Sequence, residues 1–478
     1  MQWKPDKECP EPVYRQIAHY FENLIVSGEL TAGAPLPAER KLAKLFAVNR
    51  STITAAYEEL RAAGLIQSLK GSGTWVNNTL WGVAPRKIPN WHEYTMGGAF
   101  LPTLPLMKRI REYSDIPAII NLAKADLAPE LIPTDALDHL LRSHANDSPY
   151  SYGDPKGSPA LREAVATHLR QHNNINISVE EILITSGAQQ ALHLIAMCLL
   201  RPGDAIAMEG PSYIYSLPLF ASAGLRLYRM PVDKHGLLPE DVRNLYSKHK
   251  IKMVFTNPTW QNPTGSILST ARREQLLHIC EDLRIPIVED DVYGAITLGD
   301  APKPPLPLMA MNKQGGNVLY VGSLSKTVSP GLRIGWLLGP KSVIDRLADA
   351  KQQMDFGTST LAQHMARLFL AANQWGEQAA RLTKQLTHRR DRMLHALEKH
   401  LGHLAEWNVP QGGFHVWCRF HHPLPDADLL ERGIAQGVLF TPGRVYGAQT
   451  GFVRLTFSWE SEDRLEEGVR RLALAWTE

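Results

Sequence analysis

From about residue 115 to the C-terminus, short apolar runs alternate with amphipathic stretches of helical length. That alternation commits this part of the chain to an α/β domain, because strands buried on both faces need helices to cover them. Two of the runs end in reactive side chains. Val318-Leu319-Tyr320-Val321 leads into Ser323, Ser325 and Lys326, with Arg333 seven positions further on. Ile285-Pro286-Ile287-Val288 leads into Glu289, Asp290, Asp291 and Tyr293. Functional side chains gather at the C-terminal ends of parallel strands, so both runs point toward a site.

Upstream the pattern changes. Val13, Ile17, Phe21, Leu24 and Ile25 recur at helical spacing over residues 12–27, and Gly28 follows as a helix stop. A second short helix is expected over 38–46, with Leu42, Leu45 and Phe46 apolar. After the turn Ala47-Val48-Asn49, a third helix is expected from Arg50 to about Ala63, its start capped by the Asn49 side chain and its end marked by Gly64. Helix, tight turn, helix is the helix-turn-helix pattern. Arg50, Ser51, Thr52 and Thr54 then stand where a recognition helix meets base edges. Leu65–Ser68 and Thr74–Val76 read as a small hairpin closed at Lys70, Gly71, Ser72 and Gly73, a wing whose tip can touch phosphates or the minor groove.

Charge supports a local rather than a general DNA contact. The 478-residue chain, long enough for about three compact units, carries a net charge of only +3, which excludes a uniformly basic coat. Residues 40–73, by contrast, hold six basic against two acidic side chains. Four scattered cysteines and the absence of any CxxC pair give no metal or disulfide framework. With no signal core and no apolar run of membrane length, the expected location is the cytoplasm, nucleoid-associated when on DNA. Residues 78–114 read as a connector without sustained periodicity, containing Arg86, Lys87, Lys108, Arg109 and Arg111 against Glu93 and Glu112. A flexible chain of that length reaches about 30–37 Å.

The segment VLYVGSLSKTVSPGLRIGW fits pyridoxal phosphate (PLP) chemistry. That coenzyme needs one lysine for a Schiff base, here Lys326, and a cation with hydroxyls for its phosphate, here Arg333, Ser323 and Ser325. The turn Ser186-Gly187-Ala188 between a strand and a helix adds free N–H groups for phosphate. A carboxylate from the 289–291 run can hold the pyridinium N–H, an amide from Thr256–Gly265 can reach the ring oxygen, and Tyr213 can stack on the ring.

Together these segments resemble the fold-type I aminotransferases over about residues 115–478, with a smaller α+β lobe at about 375–478. The resemblance implies Lys326 as the Schiff-base lysine, Asp290 (less readily Asp291) at the pyridine nitrogen, and Asn262 and Tyr293 at the ring oxygen. It also implies Tyr152 reaching the phosphate of a neighbouring subunit, hence a homodimer, and Arg454 gripping the ligand's α-carboxylate. One departure stands out: where related aminotransferases have a glycine-rich stretch, this chain has Asn121-Leu122-Ala123-Lys124-Ala125-Asp126, and Lys124 is placed to crowd or charge the ligand pocket.

The segments YRQIAHYFENLIVSGEL, LPAERKLAKLFAVNRSTITAAYEELRAAG and GSGTWV resemble the GntR family of winged-helix regulators over residues 11–77. That resemblance implies DNA contacts from Arg40, Asn49, Arg50 and the following threonines. The two resemblances in this order match the MocR/GabR subfamily. They imply a PLP-dependent transcription regulator that binds an operator in double-stranded DNA as a head-to-tail homodimer. Its sensing module would read a small amino acid or amine through aldimine exchange. Three alternatives remain open at this point: an active aminotransferase with a DNA-binding appendage, a regulator that senses PLP itself, and a DNA-binding protein whose PLP fold is inert.

Overall fold

In the computed structural model the described residues are 3–6, 9–69, 73–77, 98–143, 151–313, 315–372 and 374–477. They fall in two units, Met1–Ala99 and Phe100–Glu478. The first unit is built on three helices, Val13–Val26, Glu39–Phe46 and Arg50–Ala62. Ile17, Phe21, Leu42, Phe46, Ile53 and Tyr57 close one core, each side chain contributing about 1.5–3 kcal/mol by leaving water. Leu45 faces solvent at 46% exposure, and Ala43 packs in the core in its place. Strands Ile66–Leu69 and Gly73–Val76 pair antiparallel, and Pro35 bridges to Trp75 on the outer edge. Lys70, Gly71 and Ser72, the expected wing tip, lie outside the described residues.

The larger unit is organised by an eight-stranded sheet. In spatial order its strands are Ile182–Thr185, Gly335–Leu338, Val318–Ser323, Ile287–Asp290, Met253–Thr256, Ala205–Gly210, Arg226–Asp233 and Gly236–Leu237. Val318–Ser323 through Arg226–Asp233 run parallel, while Gly335–Leu338 is antiparallel to both its neighbours. The four inner parallel strands are buried along their length and largely apolar, as strands covered on both faces are, while Arg226–Asp233 toward the edge is only partly buried. Three of these strands end on one edge, so Thr256, Asp290 and Ser323 lie side by side where the chain turns toward the site.

A second sheet, Ala405–Trp407, His415–Phe420, Phe452–Thr456 and Thr441–Pro442, packs with helices Gln374–Leu401 and Glu462–Thr477 into a smaller lobe. The segment after residue 115 joins this lobe: Ile120–Asn121 pairs in parallel with Val438–Leu439, and Ile120, Leu122, Leu127 and Leu131 enter its core. One helix was not expected. Pro105–Tyr113 lies within the stretch read as connector and packs Ile110 against Ala123, Leu430 and Leu439. Its apolar positions Leu106, Met107, Ile110 and Tyr113 do follow a helical face, but Pro102 before it and Pro105 at its first position mask the signal. Among the described residues no helix is long and apolar enough to cross a membrane.

Candidate functional site

The larger unit holds a cavity of about 530 Å³ at the edge where the parallel strands end. Of the residues singled out above, Ala188, Tyr213, Asn262, Asp290, Tyr293, Ser323, Ser325, Lys326, Arg333 and Arg454 line it. Strand register explains their convergence. Ser323 pairs with Gly335 and Gly335 with Thr185, so Arg333 is carried beside the turn that follows Thr185. There its Nη2 donates to the Ser186 carbonyl at 2.8 Å. Gly187 sits at φ 85° against the guanidinium, and a Cβ there would lie 2.7 Å from Nη2. Ser186 and Gly187 thus back Arg333 rather than facing the cavity themselves. Ser323 Oγ accepts from the Ser325 N–H at 3.1 Å and lies 3.0 Å from Ser325 Oγ, which places two hydroxyls beside this cation.

Lys326 follows the strand end, with its side chain 21% exposed. Its Nζ donates to the Ala125 carbonyl at 2.8 Å and lies 3.8 Å from Asp126 Oδ1. Burial holds its amine below the ordinary lysine range, only partly offset by Asp126. A larger neutral fraction is what a nucleophilic amine requires.

Asp290 lines the cavity, whereas Asp291 does not. Asp290 Oδ1 and Asp291 Oδ1 are both buried without a hydrogen-bond partner, and Tyr320 Oη donates to Asp291 Oδ2 at 2.9 Å. Burial pushes the Asp290 carboxyl up to about 7, and the neighbouring Asp291 adds to the rise. An unpartnered buried carboxylate oxygen at the cavity wall is costly unless a donor from a bound group meets it. Around it, Asn257 donates to the Asp290 carbonyl at 2.6 Å and accepts from the Asn262 N–H at 2.8 Å. Asn262 Oδ1 accepts from Arg454 Nη1 at 3.3 Å, which leaves its carboxamide nitrogen as the donor for a ligand. Arg454 Nη2 also donates to the Ala123 carbonyl at 2.6 Å, while its buried Nε is unpartnered. Burial pushes the Tyr213 hydroxyl up to about 12, so it stays protonated.

Other positions fall differently. Tyr152 is 87% exposed, its ring tilted beside that of Phe356 with centroids 5.7 Å apart, and does not line the cavity of its own chain. Gly412, Gly413 and Phe414 are buried. Gly412 packs against Trp260, and Phe414 lies under Lys326 with its ring centroid 6.0 Å from Nζ. Asn257, Asp126, Tyr446 and Gln189 also line the cavity; Asn257 and Asp126 lie in segments already marked in the sequence but were not singled out there, and Tyr446 and Gln189 carried no signal of their own.

In the smaller unit Arg40, Asn49, Arg50 and Ser51 are exposed, and Thr52 and Thr54 are half-buried. Asn49 occupies the N-cap position with extended backbone, but its side chain makes no capping bond, which leaves it free for an outside partner. Glu39 accepts from Arg50 Nε at 3.0 Å and from Thr54 Oγ1 at 3.1 Å, holding both at the front of the recognition helix. Replacing Arg50 with Ala is expected to weaken operator binding by about 1–3 kcal/mol if it reads a base, measured by fluorescence anisotropy at fixed salt. An unchanged affinity would remove it from the reading set.

Residues 118–472 match the family of class I and II aminotransferases, and residues 13–76 match the gntR family of bacterial regulatory proteins. Two HTH-type transcriptional regulators of Bacillus subtilis, YdfD and YisV, are each 39% identical. The alignments cover 97% and 99% of this chain and 96% and 97% of theirs. The chain belongs to the MocR-like GntR regulators. Its larger unit also resembles the multiple substrate aminotransferase of Thermococcus profundus, with a TM-score of 0.75 at 30% identity over 81% of this chain and 98% of that one. This MocR-like protein is therefore a DNA-binding transcription regulator carrying an aminotransferase-like unit, and its cofactor is pyridoxal phosphate. The cavity fits that group: Asp290 offers an unpartnered oxygen for the ring N–H, beside a buried lysine and a cation flanked by hydroxyls.

Proposed function

We propose that the larger unit senses an amino acid or small amine and passes its state to an operator-binding head. One observation carries the reading. The helix Pro105–Tyr113, through which the chain from the head enters the larger unit, is also a wall of the cavity through Met107, Ile110 and Arg111. The same helix is clamped to the small lobe by a two-pronged pair, Arg109 Nε to Glu431 Oε1 at 2.6 Å and Nη2 to Oε2 at 2.8 Å. A lobe that shifts around a ligand would draw this helix with it.

When bound, the coenzyme supplies an aldehyde that condenses with primary amines and a ring that withdraws electrons. Lys326 is the amine placed to hold it. Arg333, Ser323 and Ser325, backed by Ser186, Gly187 and Ala188, would take the phosphate. Asp290 would pair with the ring nitrogen, Asn262 and Tyr293 would meet the ring oxygen, and Tyr213 would stack on the ring. Arg454 would grip a ligand carboxylate. The outward exposure of Tyr152 supports its reaching a second copy, and so a head-to-tail homodimer. Arg40, Asn49, Arg50, Ser51, Thr52 and Thr54 would contact the operator, with Lys70 and Gly71 at the wing, and a DNA target places this work in the cytoplasm.

The test uses coenzyme-loaded protein and an operator fragment selected from random-sequence DNA. A compound that alters the coenzyme's absorbance should change operator affinity by about 5- to 150-fold, the usual range of coupling between sites. Saturation with such a compound at unchanged operator affinity would sink the reading. A second reading, transamination, is favoured by 34% identity over 76% of this chain to the aromatic-amino-acid aminotransferase 1 of Thermococcus litoralis. Sustained keto-acid production with a 2-oxo acid acceptor would support it.

A further inference from the structure

Lys124 lies in the segment 121–126 that takes the place of a glycine-rich stretch in related aminotransferases, and the structure shows where its side chain sits. Its two neighbours in sequence hold the two ends of the site. The Ala123 carbonyl accepts from Arg454 at 2.6 Å, and the Ala125 carbonyl accepts from Lys326 at 2.8 Å. Residue 124 therefore lies along the path between the carboxylate grip and the reactive amine, and it lines the cavity. The Lys124 ammonium sits 3.4 Å from the centroid of the Trp459 ring, and no carboxylate lies within salt-bridge distance of it among the described residues. A face-on aromatic contact restrains a cation without neutralising it.

Charge accounting sharpens the point. Lys326 is matched by Asp126. On the reading above, Asp290 is matched by the ring nitrogen, Arg333 by the phosphate and Arg454 by one ligand carboxylate. Lys124 and Arg111 then remain on the wall against Asp115 alone. Arg111 and Asp115 are exposed at the rim, whereas Lys124 is half-buried, where its charge is less screened by solvent.

We propose that Lys124 is a specificity-determining residue that selects ligands with a second acidic group, so that the effector is a dicarboxylic amino acid rather than a neutral one. A distal carboxylate would replace the missing counter-ion with a charge-assisted hydrogen bond, whereas a neutral analogue would leave the ammonium with the ring alone. The inference rests on the amine-sensing reading for the ligand's orientation, but the two can fail separately.

The probes are two near-isosteric pairs, glutamate with glutamine and aspartate with asparagine. They are titrated into full-length, coenzyme-loaded protein by calorimetry and, in parallel, by absorbance. Calorimetry reports binding, while absorbance reports amine exchange at the coenzyme. The wild type should bind at least one acidic member about tenfold or more tighter than its amide partner. Lys124→Met should bring that ratio to within about twofold, chiefly by weakening the acidic member; Lys124→Gly should do the same without adding bulk. Equal affinity within both pairs, or a ratio that survives both substitutions, would overturn the proposal. Acidic preference in the calorimeter without any absorbance change would support charge selection and overturn amine exchange. Binding of none of the four would overturn the dicarboxylic assignment.

Discussion

After borohydride reduction, the Lys326→Ala protein should keep its own mass, while the wild type should gain the mass of the coenzyme. Reduction fixes a carbon–nitrogen double bond as a stable amine, so it reads covalent attachment at a named lysine. The geometry favours Lys326 over its competitor. Its side chain is four-fifths buried, its Nζ is tethered to the Ala125 carbonyl at 2.8 Å, and burial holds the amine below the usual lysine range. The other lysine on the cavity wall, Lys124, has its ammonium over the Trp459 ring. The variant should still bind coenzyme non-covalently through the ring and phosphate contacts. It should still bind operator, but with no response to amines. A mass gain that persists in Lys326→Ala and vanishes in Lys124→Met would transfer the role to Lys124.

The largest loss of stability is expected from Arg273→Ala. Arg273 and Glu289 are both completely buried and lie 3.7 Å apart. The guanidinium also donates to the carbonyls of Leu268 and Pro258 at 2.8 Å and of Leu306 at 3.2 Å, and to Thr259 Oγ1 at 2.8 Å. Truncation would leave the buried Glu289 carboxyl without its cation, held only by the N–H groups of Leu308 and Met309, and strip several buried acceptors of their donor, a loss of about 3–5 kcal/mol. It would also free the 257–262 segment, which carries Asn257 and Asn262 to the cavity. Because the chain has two units, the measurement should follow the denaturant transition of the larger one through coenzyme fluorescence, rather than a single global melt. A loss below about 1 kcal/mol would show that Glu289 can shed its charge or reach water without cost.

What could be read from the sequence was local. The head's helices were legible because helical spacing and a three-residue turn are written in adjacent residues. Lys326 was legible because an apolar strand runs directly into it. Asp290 was preferred to Asp291 on resemblance alone; that Asp290 lines the cavity while Asp291 accepts from the Tyr320 hydroxyl follows from the parallel pairing of Val318–Ser323 with Ile287–Asp290, which local sequence does not show. Asn257 and Asp126 lay in marked segments without being singled out, and Tyr446 went unread, because each is an ordinary polar residue until three distant segments meet at one cavity. Asn49 was misread in detail: the position was right, but its side chain makes no cap, since sequence places a residue at a helix start without fixing its rotamer. The helix Pro105–Tyr113 was missed because its prolines look like loop, although Pro105 at the first helical position costs the helix nothing.

That last helix sets a rule for anyone building chimaeras. A graft that moves the sensing half onto a foreign head must be spliced upstream of residue 98, not near residue 115, where periodicity alone would put the seam. Cut at the later point, the transplanted half would arrive with Leu430 and Leu439 stripped of cover and one side of its binding chamber missing. Such a hybrid would fail as a sensor for want of a wall, however well its new head gripped DNA.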